Sequence, residues 1–241
     1  MKVNKLVPAA LAILLLTAGC GPGEPAALEP DELPYYTFRL PADFEPEEEY
    51  PLLVVLHGEG RDENEVLALW DGGCFIAPGF ILLAVRGPFR ADGGYGWLRP
   101  EGNMTERKAA AVTGEHLVMD IVADFEHQFR IDPDWRFVAG IGEAGSTALY
   151  TAFKHPDIFQ GTAVLSGPVD ADVISGRLVR NLDDMDIFLG SFQGAEKDSV
   201  AFDRAGARVL VWRGGGTASD QCRAMQEFFG LMDTAAVADT L

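Results

Sequence analysis

Apolar positions in this chain fall into two rhythms. Short unbroken runs recur at Leu52-Leu53-Val54-Val55-Leu56, Phe80 through Val85, Phe137-Val138-Ala139, Ala163-Val164-Leu165, Ile187-Phe188-Leu189 and Val209-Leu210-Val211-Trp212. Runs that do not alternate with polar residues predict strands buried on both faces, as in a parallel sheet covered by helices. Tyr35 to Leu40 precedes them and is expected to be an antiparallel edge strand. Between the runs, apolar residues recur at helical spacing. Asp62 with Glu65 makes a capping-box-like start for a helix that buries Val66, Leu67 and Trp70. Thr113 to Phe129 places Leu117, Val118, Ile121, Val122, Phe125 and Phe129 along one stripe, and Asp220 to Met232 does the same with Cys222, Met225, Phe229 and Met232. Strands and helices in alternation predict a doubly wound α/β sheet with helices on both faces. The 241 residues, 48% of them hydrophobic, suffice for one domain with a substantial core.

The two ends follow neither rhythm. Lys2 and Lys5 precede an apolar run from Leu6 to Leu16, which is too short to span a bilayer needing about 20 residues. Thr17-Ala18-Gly19 then leads directly into Cys20. This arrangement resembles the lipobox of bacterial lipoproteins, although Thr17 stands where leucine is commoner. The resemblance implies that residues 1–19 are a signal peptide and that Cys20 is lipidated. The protein would then be held to a membrane in the cell envelope, outside the cytoplasm. A plain signal peptide with an incidental cysteine is the alternative. Residues 20–34 are rich in proline, glycine and acids and are expected to act as a flexible tether. The folded domain is expected over residues 35–232, with 233–241 as a tail.

Charge narrows the partners. The formal net charge is −18, and loss of Lys2 and Lys5 with the leader takes it to −20. So acidic a body repels nucleic acid and anionic lipid, and neither is expected as a partner. No His, Asp or Cys cluster at ligand spacing stands out, so neither a metal nor a cofactor is implied.

Candidate chemistry centres on residues 140–145, Gly-Ile-Gly-Glu-Ala-Gly. A strand-like stretch, Trp135 to Ala139, precedes them, and a helix-like stretch, Ser146 to Lys154, follows. Strand, sharp turn of small residues and helix is the setting of the nucleophile elbow, G-x-S-x-G. Gly140 supplies the first glycine, Ala144 replaces the second, and Gly142 occupies the serine position. Other segments agree with that reading. Tyr50-Pro51-Leu52 through Leu56-His57-Gly58-Glu59-Gly60 is similar to the strand and His-Gly loop of α/β-hydrolases. Arg86-Gly87-Pro88-Phe89 with Gly93-Gly94-Tyr95-Gly96-Trp97, Phe129-Arg130-Ile131-Asp132-Pro133-Asp134, and His155-Pro156-Asp157-Ile158-Phe159 with Leu165-Ser166-Gly167 resemble the phospholipase/carboxylesterase branch. That branch includes acyl-protein thioesterase-like and depolymerase-like esterases, and the resemblance runs from about Tyr35 to Met232.

In that family a serine attacks an acyl carbonyl, a histidine takes its proton, an acid orients the histidine, and backbone N–H groups hold the oxyanion. Carried onto this chain, the serine position is Gly142, the acid position is Gln193 beyond Gly190, and the histidine position is Thr217 after Gly214-Gly215-Gly216. No histidine follows His155. The segment from Gly190 to Val209 is also short for the family. The resemblance places oxyanion donors near Gly58-Glu59 and at Glu143, and an apolar cleft near Phe89 and Trp97. Glu59 and Glu143 are expected to point into solvent; held together they would instead suit a cation or acid/base work. Ser146 lies one helical turn past the elbow, where capping its helix is the expected role. Ser166 and Ser191 read as strand-end turn residues, His57 as a loop residue, and His116, His127 and His155 as surface residues.

Three functions remain: a non-catalytic module binding a small acyl or ester-like ligand or an envelope protein, an ester hydrolase using Ser146 or the glutamates, and a purely structural lipoprotein. In this fold the first and last helices share a face of the sheet, so Cys74 and Cys222 can form a disulfide outside the cytoplasm or remain as two buried thiols. The lipobox reading is checked by metabolic labelling with a fatty-acid analogue, which is expected to mark the wild type and leave Cys20→Ser unmarked. Equal labelling of both proteins refutes it.

Overall fold

The computed structural model describes residues 36–72, 79–99, 101–170, 172–174, 178–180, 182–190, 195–212 and 218–230. The apolar runs become the strands of one sheet: β1 (Tyr36–Arg39), β2 (Tyr50–Leu56), β3 (Ile81–Val85), β6 (Ile131–Ile141), β7 (Gly161–Leu165), β8 (Asp186–Leu189) and β9 (Arg208–Val211). Their order is β1-β3-β2-β6-β7-β8-β9, with β1 antiparallel at one edge and the other neighbours parallel. A short hairpin, β4 (Phe89–Ala91) with β5 (Gly94–Gly96), stands apart from the sheet.

Alternation of side chains along each strand divides the core into two layers. Leu52, Val54 and Leu56 of β2, with Leu83 and Val85 of β3, pack against α2 (Met104–Glu126) and α3 (Ala144–Lys154) through Val118, Ile121, Phe125 and Leu149. The intervening residues, Leu53, Val55, Leu82 and Ala84, meet α1 (Glu63–Gly72) and α5 (Ala218–Phe228) through Val66, Leu67, Trp70 and Met225, with Phe229 just past the end of α5. A sheet apolar on both faces requires helices on both, and the sequence supplies them.

Two helices and one strand depart from the periodicity. α2 begins nine residues before Thr113. Asn103 caps it by accepting the Thr105 and Glu106 N–H groups, while the Glu106 side chain accepts the Asn103 N–H. That capping box sets the start, and the polar first turns, Thr105 to Lys108, carry no apolar stripe to betray it. α4 (Ala195–Arg204) lies in a segment read only as a short connection. β6 runs back to Ile131, which pairs with Tyr50 across a register shift. The expected capping box of α1 is present: Asp62 Oδ1 accepts the Asn64 and Glu65 N–H groups at 2.9 Å, and Glu65 accepts the Asp62 N–H. Among the described residues no helix is long and apolar enough to cross a membrane.

Cys222 is fully buried in the layer shared with α1 and is disulfide-bonded. Cys20, Cys74 and Met232 lie outside the described residues. Mass analysis of non-reduced peptides from protein purified without reductant is expected to find Cys74 joined to Cys222. Closing a loop of this length stabilises the domain by up to about 4–5 kcal/mol in the chain-entropy view. Recovery of both as free thiols rejects the pairing.

Candidate active site

The parallel strands β2, β6 and β7 end side by side, and the turn after β6 sits at the centre of that edge, where open α/β sheets place their sites. Gly142 has φ +62°, and a Cβ built on it meets nothing within 4 Å. The turn therefore has the shape that presents a nucleophile to an open site, without the nucleophile. Gly140 makes the sharp reversal possible, since a Cβ there would collide with the Ala144 carbonyl. A Cβ on Gly167 would likewise strike the Gly142 backbone, so the turn after β7 presses against the elbow. The Gly142 N–H donates to the Leu165 carbonyl at 2.8 Å, which fixes that approach.

Four side chains hold the surrounding loops, each by capturing a backbone N–H. His57 Nε2 accepts the Gly87 N–H at 2.8 Å, and Glu143 Oε1 accepts the Trp97 N–H at 2.9 Å. Ser146 Oγ accepts the Asp170 N–H at 2.8 Å. Gln221 Oε1 accepts both the N–H of Ser166, at 3.0 Å, and its hydroxyl, at 3.1 Å. Ser166 has φ +53°, a strained conformation for serine that this double contact helps to hold. The tether from Gly87 is buried, where an N–H left without an acceptor costs about 1–3 kcal/mol, and the other three are part-buried. Arg107 of α2 adds ion pairs to Asp170 and Asp172 on the loop that Ser146 holds.

These contacts revise several expectations. Ser146 is buried and committed to Asp170; it neither caps α3, which has no side-chain cap, nor faces the site. Glu59 is exposed as expected, but Glu143 turns inward, beneath the β4–β5 hairpin. Trp97 is fully buried and packs beside Gly114 of α2, so it lines no cleft; Phe89 is half-buried beneath the Arg99 guanidinium. The cavity next to the elbow lies instead on the α1 side. It measures about 400 Å³ and is bordered by the His57-Gly58-Glu59 loop, Arg61, Glu65, Val66, Leu69 and Ile141. The N–H groups of Glu59 and Glu143, where the resemblance places oxyanion donors, carry no hydrogen bond among the described residues. Sequence reasoning missed Gln221. A polar residue beside the apolar stripe of α5 gives no sign that it reaches the sheet edge.

No histidine among the described residues serves as a base at the elbow. His57 is buried with both ring nitrogens engaged: Nδ1–H donates to the Gly58 carbonyl at 2.8 Å while Nε2 accepts from Gly87. Burial holds this ring neutral, with its pKa below the ordinary 6.5. His155 sits at the far end of α3, which is about 16 Å long. There its Nε2 lies 2.6 Å from Oε1 of the buried Glu115, which also meets Lys154 at 3.3 Å. His116 is exposed on α2, and His127 caps the end of α2 near the opposite edge of the sheet. Ser191, Gln193 and Thr217 lie outside the described residues. Among the described residues no group of three or more His, Cys, Asp or Glu side chains is arranged to hold a metal ion.

A family model described as "Putative esterase" matches residues 32–221. The chain belongs to this esterase family. Solved structures agree on the fold of the esterase domain. A carboxylesterase from Bacillus cereus superposes with a TM-score of 0.67 at 16% identity, over 84% of this chain and 96% of that one. A carboxylesterase from Mesorhizobium loti gives 0.66 at 18% identity, over 85% and 98%. A phospholipase/carboxylesterase from Dyadobacter fermentans gives 0.62 at 13% identity, over 80% and 95%. A search of curated proteins finds no match.

Glu143 gives this esterase-family domain a measurable pH signature. Burial raises its pKa above the ordinary 4.5, and the nearby charge of Glu59 adds to the rise against the hydrogen bond from Trp97. Its Oε2 is buried without a partner. The folded state therefore holds the Glu143 proton more tightly than the unfolded chain. Stability is lost as pH rises from the ordinary carboxylate range through the raised value. Glu143→Gln keeps an acceptor for Trp97 and removes the titration. Thermal melts are expected to show the variant gaining on the wild type as pH rises above the ordinary carboxylate range. Melting temperatures that run parallel across that rise defeat this reading.

Proposed function

We propose that this protein is a lipid-anchored, non-catalytic member of the esterase family that binds, and does not hydrolyse, a small acyl or ester-like ligand at the cell envelope. The observation that carries the reading is Gly142: an elbow turn at φ +62°, open in front, with no side chain to attack. The absence of any histidine after His155 supports it independently, because a hydroxyl without a base stays protonated and attacks poorly. The carboxylesterases among the structural neighbours suggest the ester-like class of ligand. The unengaged N–H groups of Glu59 and Glu143 suit the carbonyl of such a ligand.

Two features favour binding over a purely structural role. The loops around Gly142 are held individually by His57, Glu143, Ser146 and Gln221, and a cavity of about 400 Å³ adjoins them. A volume of this order lies within the range of small-molecule sites. The alternative of a hydrolase built on Ser146 finds little support, because that hydroxyl is buried and engaged. Anchoring through Cys20 rests on the lipobox resemblance alone.

Ester turnover by the purified protein is expected at background across a panel of acyl esters. Gly142→Ser is expected to leave it there, since the new hydroxyl gains no base. The same substitution puts a side chain on a left-handed residue and is expected to cost about 1 kcal/mol of stability by thermal melting. Robust wild-type turnover, or labelling by a fluorophosphonate, contradicts the proposal.

A further inference from the structure

The cavity on the α1 side of the elbow has a chemical character that narrows its ligand. Its apolar wall comes from Val66 and Leu69 of α1 and Ile141, the residue before Gly142. Leu69 is 37% exposed, so part of this wall is open to a ligand. The charge at the rim is one-sided. Arg61 and Glu65 face one another at 3.1 Å and cancel, while the His57 ring is neutral. Glu59 remains: exposed and without an ion-pair partner among the described residues. The N-terminus of α1 offers an anion little, because the Asp62 carboxylate already accepts its Asn64 and Glu65 N–H groups. The molecule as a whole, at −18, disfavours anions further.

We propose that this cavity binds a compact apolar cation, an alkylammonium group whose chain lies on Val66, Leu69 and Ile141 and whose charge meets the Glu59 carboxylate. The inference rests on the reading of the site as a binding site and specifies its ligand: a small acyl or ester-like molecule that carries a positive charge. The two parts of the site divide the work. Burial of the chain against α1 supplies non-directional affinity, in proportion to the apolar surface removed from water. Glu59 supplies discrimination by sign. An exposed pair of this kind changes affinity by only about three-fold, so the apolar wall dominates affinity while the carboxylate decides which isostere is preferred.

The test uses three four-carbon probes of similar shape: n-butylammonium, n-butanol and butyrate. Ligand-observed NMR titrations on the full chain are expected to order them n-butylammonium, then n-butanol, then butyrate, each step about three-fold. Glu59→Gln, an exposed substitution, is expected to narrow the preference for n-butylammonium over n-butanol to within error and to shrink, without abolishing, the deficit of butyrate. Leu69→Asn is expected to weaken n-butylammonium and n-butanol alike. Butyrate binding as tightly as n-butylammonium, a preference unchanged in Glu59→Gln, or no saturable n-butylammonium binding each overturns the proposal. Ester turnover measured on the same samples fails or passes independently, so loss of the cation site and loss of the non-catalytic reading are separate outcomes.

Discussion

The capture of loop N–H groups by buried side-chain acceptors is the interaction on which the upper edge of this molecule depends. Strand ends in a parallel sheet leave backbone donors facing a crowded, partly dry space. Here His57, Glu143, Ser146 and Gln221 each satisfy one of them. The four acceptors come from the loop after β2, the elbow, α3 and α5, so elements from both faces of the sheet converge on one edge. The Gly87 bond is buried, where a lost partner costs about 1–3 kcal/mol, while the other three are part-buried and cost less to lose.

That arrangement does not need a nucleophile. The elbow is set by close backbone packing at Gly140 and Gly167 and by the Gly142 hydrogen bond to Leu165, none of which involves a serine hydroxyl. Glycine at the left-handed position is also the residue with least conformational cost there. An esterase-family elbow can thus keep its shape with glycine at the left-handed position. Ser146 illustrates the same division: a hydroxyl one turn into α3 is used for loop architecture, and its burial withdraws it from chemistry.

Two carboxylates shape the electrostatics of this edge. Glu59 lies at the mouth and Glu143 immediately follows the elbow glycine, with its carboxyl turned beneath the hairpin. The field of Glu59 raises the pKa of Glu143, on top of the larger effect of burial. The same two carboxylates stand on either side of the space in front of Gly142, so any occupant of that space meets their field.

Periodicity alone determined the sheet, its burial on both faces and the separation of helices into two layers, because those follow from which residues must leave water. The glycine at the serine position and the absence of a late histidine were equally legible, being facts of identity and order. The start of α2 was encoded at Asn103 and Glu106, though in cap chemistry and not in apolar spacing. What only the tertiary structure decided was direction. Glu143 turns inward to Trp97, Trp97 is buried under α2, Gln221 reaches Ser166 from 55 residues away, and the cavity opens toward α1 instead of Phe89. Each depends on which polar groups lie within hydrogen-bonding reach once the chain has closed. Such pairings join residues remote in sequence, and no local pattern records them.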